Sequence, residues 1–184
     1  HDALPISLIS NVALALNPDI TYVKVEHKGQ KLILAEARLL ALDSDYTVLN
    51  EYKGSELTDI EYEPFFSFIE PEKRAHYTVL GDFVSTSDGS GIVHIAPAFG
   101  EDDYQVGKKY DLPVVNPVNK SGQFMEMVTP WAGKFVKDAD VDILVDLKHR
   151  GLLYKSEKIE HSYPHCWRCK SPLLYYARKS WYIE

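Results

Sequence analysis

Residues 89–104 read Gly-Ser-Gly-Ile-Val-His-Ile-Ala-Pro-Ala-Phe-Gly-Glu-Asp-Asp-Tyr and form the most informative stretch of this sequence. The glycines favour a tight bend, after which 92–95 predict a short buried strand that contains His94. Residues 96–100 interrupt the strand, and three acidic residues then open a predicted helix over 101–109, since carboxylates are stabilised at helix N-termini. The pattern brings a histidine and a carboxylate, Asp103, to one strand–loop–helix corner. From the pattern alone, either residue could serve the fold or a site.

The flanking sequence is rich in predicted strands and contains few predicted helices. Strands are predicted at 21–26, 31–34, 46–52 and 77–80, the first two of them forming a hairpin. A helix is predicted at 35–42, and another runs from a cap at Asp138 to Arg150 with a stop at Gly151. A cluster of phenylalanines between 64 and 71 is typical of a packed loop. These elements predict a β-rich fold, a mainly antiparallel β-barrel core with peripheral α-helices.

Composition excludes several classes of protein. The chain has 184 residues, 45% of them hydrophobic, and a formal net charge of −7 at pH 7, as expected for one globular domain with a core. The acidic balance argues against an autonomous high-affinity nucleic-acid binder, although local phosphate contacts stay open. No apolar run reaches the length of a membrane span, and the start lacks the features of a secretory signal peptide.

Several separated strings in this chain resemble the editing (CP1) domain inserted in class I isoleucyl-tRNA synthetases. The strings are residues 10–15, 89–104, 110–118, 122–124, 161–169 and 171–181. The resemblance implies a truncated fragment of a longer enzyme, with an editing domain over 10–160 and a zinc-ribbon-like half returning toward the absent catalytic domain over 161–184. Residues 1–9 do not fit the family's threonine-rich strand, so we interpret them as an unmatched segment and a candidate artefact.

The resemblance also implies a function and a set of site residues. It implies hydrolysis of mischarged valyl-tRNA(Ile), with the aminoacylated 3′ end of the tRNA and the remainder of the synthetase chain as partners, in the cytoplasm. Asp103 corresponds to the residue that anchors the substrate α-ammonium, and at a helix start we expect it to remain ionised at pH 7. His94 corresponds to the residue that helps to bar the larger isoleucyl group. The loop that admits the substrate is assigned to Gly91, Ala96, Pro97 and Gly100.

Alternative functions stay open at this stage. The same signature strings could belong to the valyl or leucyl enzyme, although 98–103 and the string Cys-Trp-Arg-Cys at 166–169 favour the isoleucyl member. The missing threonines leave room for a catalytically impaired tRNA-binding module. Neither of the family's two ATP-binding signatures occurs here, so ATP and Mg²⁺ are expected only with the full-length enzyme.

The spacing of the two cysteines raises the question of zinc. Cys166 and Cys169 form a CxxC pair, which does not favour a disulfide framework but supplies half of a tetrahedral zinc site. Three interpretations stay open: half of a site whose partner pair is missing, local zinc binding completed by His161 and His165, and no metal. A structural zinc-ribbon protein is a further alternative to the editing domain.

Overall fold

The computed structural model describes residues 5–42, 45–87, 89–156, 164–170 and 173–177. The described strands are β1 (Ala13–Leu16), β2 (Thr21–His27), β3 (Gln30–Ala35), β4 (Tyr46–Lys53), β5 (Tyr77–Leu80) and β6 (Ile92–Ile95). The described α-helices are α1 (Pro5–Ile9), α2 (Glu101–Lys109) and α3 (Asp140–His149). Short 3-10 helices cover Glu36–Ala41, Gly54–Leu57, Thr129–Trp131 and Val136–Ala139.

The strands form two three-stranded sheets with the orders β5-β1-β6 and β3-β2-β4. The β1–β5 pair is parallel and the other three pairs are antiparallel, so the β-rich, mainly antiparallel fold with a few helices is confirmed. Two hydrogen bonds join the sheets beside the start of β6. The Ala35 amide donates to the Ser90 carbonyl (2.8 Å), and the Tyr22 hydroxyl donates to the Gly91 carbonyl (2.8 Å). The bend that leads into β6 is therefore tied to the second sheet.

The hairpin between β2 and β3 closes over two residues in the left-handed region. Lys28 has φ of 50° and Gly29 of 76°, and the flanking residues His27 and Gln30 are paired. Such two-residue turns match the twist of an antiparallel pair, so local turn chemistry sets this register. The hairpin lies as the sequence predicted.

The largest apolar cluster joins α1, α3 and the aromatic loop. Phe66 packs edge-on against Trp131 with ring centroids 5.6 Å apart, which confirms the packed-loop interpretation of the phenylalanines. Ile6 and Ile9 of α1 are 1% and 6% exposed within this cluster. Helix α1 therefore contributes buried side chains to the core.

Two helix predictions need correction. Residues 35–42 form a 3-10 helix at Glu36–Ala41 with no buried residue, and Leu40 is 97% exposed. Without an apolar face to bury, the segment has no tertiary support for a full α-helix. Helix α3 begins at Asp140 rather than after a cap at Asp138, since Asp138 lies in the preceding 3-10 turn and its side chain makes no capping bond.

Candidate functional site

The corner between β6 and α2 forms as the sequence predicted, and Asp103 holds it together. Asp103 occupies the first turn of α2, after Gly100 at the N-cap position. Its Oδ2 atom accepts a hydrogen bond from the Ala96 amide (2.9 Å), so the carboxylate closes the loop between strand and helix. A Cβ at position 100 would lie 2.9 Å from Asp103 Cγ, which leaves no room there for a side chain.

Two opposing influences act on the pKa of the Asp103 carboxyl. Burial raises the pKa of Asp103, and the negative charge of Asp102 adds to this effect. The hydrogen bond from the Ala96 amide acts in the opposite direction. The expectation that Asp103 remains ionised at pH 7 considered the helix terminus alone, whereas desolvation is the larger influence on its pKa in the folded protein.

His94 lies on β6 opposite Leu14 of β1, and its side chain reaches helix α1. The His94 Nε2 atom is 2.7 Å from the Ser7 hydroxyl oxygen. Burial lowers the pKa of His94 to about 4. The imidazole is therefore neutral at pH 7, when it can shape a pocket wall and form hydrogen bonds without carrying a charge.

The four loop residues that were predicted to admit the substrate are packed against neighbouring elements of the fold. Ala96 and Pro97 are buried, and a Cβ on Gly107 of α2 would lie 3.0 Å from the Pro97 ring, so the helix packs directly on the loop. Gly91 has φ of 76°, and a Cβ there would lie 2.5 Å from Ala35 Cβ. Gly100 is half-buried beside Asp103. Their contact with a substrate stays a prediction.

Sequence reasoning missed two buried polar residues that precede β1, Ser7 and Asn11. Ser7 is 7% exposed and contacts His94, as described above. Asn11 is 6% exposed, donates from Nδ2 to the Ala13 carbonyl (2.8 Å) and accepts a short hydrogen bond from the Tyr62 hydroxyl. The available signal was the presence of polar residues in the apolar stretch 6–16, because a buried polar side chain needs a partner.

A cavity of about 240 Å³ lies on another face of α2. Its lining residues are Leu80, Gly81, Asp82, Phe83, Asp102, Gln105, Val106 and Lys109. Neither His94 nor Asp103 is among them, so this cavity and the β6–α2 corner are different places in the fold.

The CxxC pair lies on a turn of the C-terminal segment. The Lys170 amide donates to the Cys166 carbonyl (2.9 Å), and the side chains of Cys166 and Cys169 are at least partly accessible to solvent. Among the described residues, no group of three or more His, Cys, Asp and Glu side chains converges to hold a metal ion. His165 is described and exposed, whereas His161 lies outside the described residues. The part of the chain described here thus supplies two thiol ligands and not a complete zinc site.

Comparison with known proteins identifies the class and then the family. No protein-family model matches the chain. The crystal structure of GlLeuRS-CP1 superposes with a TM-score of 0.63 at 15% identity, covering 86% of this chain and 82% of that one. The fold is accordingly that of a CP1 domain.

The sequence relatives are isoleucine–tRNA ligases. The chain is 58% identical over 180 residues to the enzyme of Clostridium acetobutylicum and 54% identical over 181 residues to that of Clostridium novyi. Each alignment covers 98% of this chain and 17% of the relative, so the chain spans under a fifth of the length of these enzymes. The chain corresponds to the CP1 editing-domain region of isoleucine–tRNA ligases. Among the described residues, no helix combines the length and apolar character that crossing a bilayer requires.

Proposed function

We propose that this chain carries the post-transfer editing step of an isoleucine–tRNA ligase, in which water hydrolyses the ester of mischarged valyl-tRNA(Ile). The observation that carries the proposal is the β6–α2 corner, where the Ala96 amide ties the strand of His94 to the carboxylate of Asp103. That arrangement occurs in a chain with a CP1 fold and isoleucine–tRNA ligase relatives.

A second site is needed because a synthetic site for isoleucine discriminates poorly against valine. One missing methylene in an apolar pocket is worth only about 1–3 kcal/mol, and isoleucine against valine is the standard illustration of that limit. A smaller pocket that hydrolyses the valyl ester supplies the remaining selectivity. Such a pocket must bind the amino acid by its ammonium group and must exclude one extra methylene.

Asp103 and His94 are suited to these two tasks. Asp103 uses Oδ2 to hold the loop, and Oδ1 is left to accept a charge-assisted hydrogen bond from the substrate α-ammonium. His94 is neutral, so it adds no positive charge that would repel the ammonium, and its ring forms a wall against the isoleucyl side chain.

The chemistry requires little beyond positioning. Water adds to the ester carbonyl, the bond to the ribose oxygen breaks, and free valine and uncharged tRNA are released. Because the ester is already activated, a positioned water and the neighbouring ribose hydroxyl suffice, and we assign no general base. Most of the rate enhancement then comes from holding the ester in place, where small displacements cost large factors.

The partners in this proposal are the aminoacylated 3′ end of tRNA(Ile) and the remainder of the synthetase, which places the reaction in the cytoplasm. ATP and Mg²⁺ belong to the synthetic site of the full-length enzyme. Cys166 and Cys169 would provide two ligands of a structural zinc ion, with the other ligands supplied from outside the described residues.

A tRNA-binding module without hydrolytic activity is the second candidate. It is favoured by the absence of threonine from residues 1–9, where the family's threonine-rich strand would stand. In that case the chain binds valyl-tRNA(Ile) and leaves the ester intact.

The test measures deacylation of valyl-tRNA(Ile) by the chain and by Asp103→Asn, an isostere that keeps an acceptor for the Ala96 amide. Charge-assisted hydrogen bonds are worth about 1.5–3 kcal/mol, so we expect hydrolysis to fall roughly tenfold to a hundredfold in the variant. Asp102→Asn, which neutralises an exposed carboxylate on the same helical turn, should retain activity within about twofold. Binding of tRNA without any release of valine by the unaltered chain would favour the binding module, and equal hydrolysis by Asp103→Asn would refute the role of Asp103.

A further inference from the structure

We propose that the C-terminal segment 173–177 holds loop 96–100 of the candidate site in place, with the backbone amide of Ala177 as the positioning group. This amide donates a hydrogen bond to the Ala98 carbonyl at 2.7 Å. The effect of the bond on hydrolysis rests on the proposed function. Its effect on the loop itself does not, and can be measured separately.

The bond to Ala98 differs from the other hydrogen bonds of the loop in where its donor lies. The Ala96 amide donates to Asp103 Oδ2, and the Ala96 carbonyl accepts from the Phe99 amide, each at 2.9 Å. Both of these bonds are made within the corner between β6 and α2. The Ala98 carbonyl is bonded instead to a segment far along the chain, so its position depends on how that segment packs.

Burial makes the bond to Ala98 hard to replace. Ala98 is 1% exposed, so water has little access to its carbonyl oxygen if the Ala177 amide moves away. A buried carbonyl without a partner is unfavourable in a folded protein. The loop should therefore rearrange, rather than stay where it is, when this donor is lost.

Segment 173–177 is supported independently of the loop. Leu174 packs against the same apolar cluster as Phe99 of the loop. A Cβ on Gly122, which has φ of 74°, would lie 2.6 Å from Leu174 Cδ1, so the leucine lies directly on this turn. The Leu173 amide also donates to the Pro164 carbonyl at 3.0 Å. The Ala177 amide is consequently presented from a packed segment.

The position of the loop matters because the carboxylate of Asp103 is bonded to it. Ala96, whose amide binds Asp103 Oδ2, lies two residues before Ala98, so a shift at Ala98 is passed to the carboxylate. In the proposed function this carboxylate binds the substrate α-ammonium, and small displacements of a bound ester cost large factors in rate. Loss of the Ala177 bond should therefore slow hydrolysis although no group assigned to the substrate is removed.

The first measurement is amide hydrogen exchange in the unaltered chain, with Tyr175 as the internal control. Tyr175 belongs to the same segment, is 69% exposed, and its amide makes no hydrogen bond to any described residue. After correction for intrinsic rates, we expect the Ala177 amide to exchange at least about tenfold more slowly than the Tyr175 amide. Equal rates would overturn the proposal without any variant having to fold.

The second measurement compares three variants. Ala177→Pro removes the amide donor, Ala177→Ser keeps it, and Tyr175→Pro is the matched proline in the same segment. The readouts are exchange of the Ala96 amide and kcat and KM for valyl-tRNA hydrolysis. Exchange of the Val12 amide, which donates to the Ile95 carbonyl at 2.9 Å, reports on the stability of the neighbouring sheet. Circular dichroism confirms that each variant is folded.

In Ala177→Pro we expect Ala96 to exchange about fivefold to tenfold faster and kcat to fall by a similar factor, the equivalent of one ordinary hydrogen bond. KM and the exchange of Val12 should stay within about twofold, and the other two variants should behave like the unaltered chain. Unchanged exchange of Ala96, or an equal increase at Val12, would overturn the proposal. If the unaltered chain does not hydrolyse valyl-tRNA, the editing function fails, while the exchange rates still decide whether Ala177 positions the loop.

Discussion

Burial, rather than a charged partner, controls the protonation of His94. Its pKa of about 4 in the folded protein lies below the ordinary value of 6.5, so the unfolded chain binds more protons between these two pH values. The stabilising contribution is complete above pH 6.5 and is lost as pH falls toward 4. Burial of His94 thus keeps the imidazole neutral at pH 7 and makes the stability of the fold depend on pH.

This shift predicts an acid-sensitive component of stability. Between pH 8 and pH 5, the free energy of unfolding should fall by about 2 kcal/mol through His94 alone. The measurement is urea unfolding at both pH values for the unaltered chain and for His94→Gln, which does not titrate. The drop attributable to His94 is the difference between the two proteins, and an equal pH dependence in both would contradict the assignment.

Helix α3 begins with Asp140, whose partly buried position disfavours the charged form of its carboxylate. Burial raises the pKa of Asp140 to about 6, the nearby Asp138 contributes in the same direction, and Lys137 opposes it. A folded-state pKa above the ordinary value of 3.8 means that folding favours the protonated form. The contribution to stability is present below pH 3.8 and is lost as pH rises through 6, opposite in sign to that of His94.

Asp140→Asn should therefore stabilise the protein at neutral pH. Removing the buried charge should raise the free energy of unfolding by about 1 kcal/mol at pH 7, after allowance for solvent screening and for the lost interaction with the helix N-terminus. At pH 3.5 the gain should disappear. Asp142→Asn on the same helix serves as control, because Asp142 is paired with Lys134 on the surface and should lose a few tenths of a kcal/mol instead. A destabilised Asp140→Asn protein at pH 7 would be the contrary result.

At the scale of the whole molecule, the N-terminal segment belongs to the core. Ile6 and Ile9 join the cluster that contains α3 and the aromatic loop, and Ser7 between them reaches the site. The segment that matched least well in sequence thus supplies buried side chains to the domain.

Ile6→Ala tests this role. Truncating a fully buried isoleucine costs about 2–5 kcal/mol, so we expect a loss in that range by urea unfolding. Leu40→Ala, at a residue that is 97% exposed, should change stability by less than about 0.5 kcal/mol. If Ile6→Ala were as stable as the control, α1 would not be part of the cooperative core.

The local elements around the site could be predicted from sequence, whereas other elements could not. The bounds of β6 and α2 were predicted correctly because a glycine bend, an apolar run and an acidic first turn all act within a few residues. The α-helix expected at 35–42 was wrong because helix-forming composition is a weak preference and needs an apolar face to bury. Residue propensities favoured an α-helix at 35–42, but without a buried face the segment forms only a 3-10 helix.

The sequence by itself determined the family, the two local elements of the corner, and the presence of His94 and Asp103 in it, since these follow from patterns of neighbouring residues. Only the tertiary structure decided that Ser7 contacts His94 and that the Tyr22 hydroxyl bonds to the Gly91 carbonyl, 69 positions away. The tertiary structure also decided that the side chains of His94 and Asp103 are desolvated. The physical reason is that a residue's own chemistry and near neighbours set backbone preference, whereas its burial and distant partners depend on how sheets and helices pack.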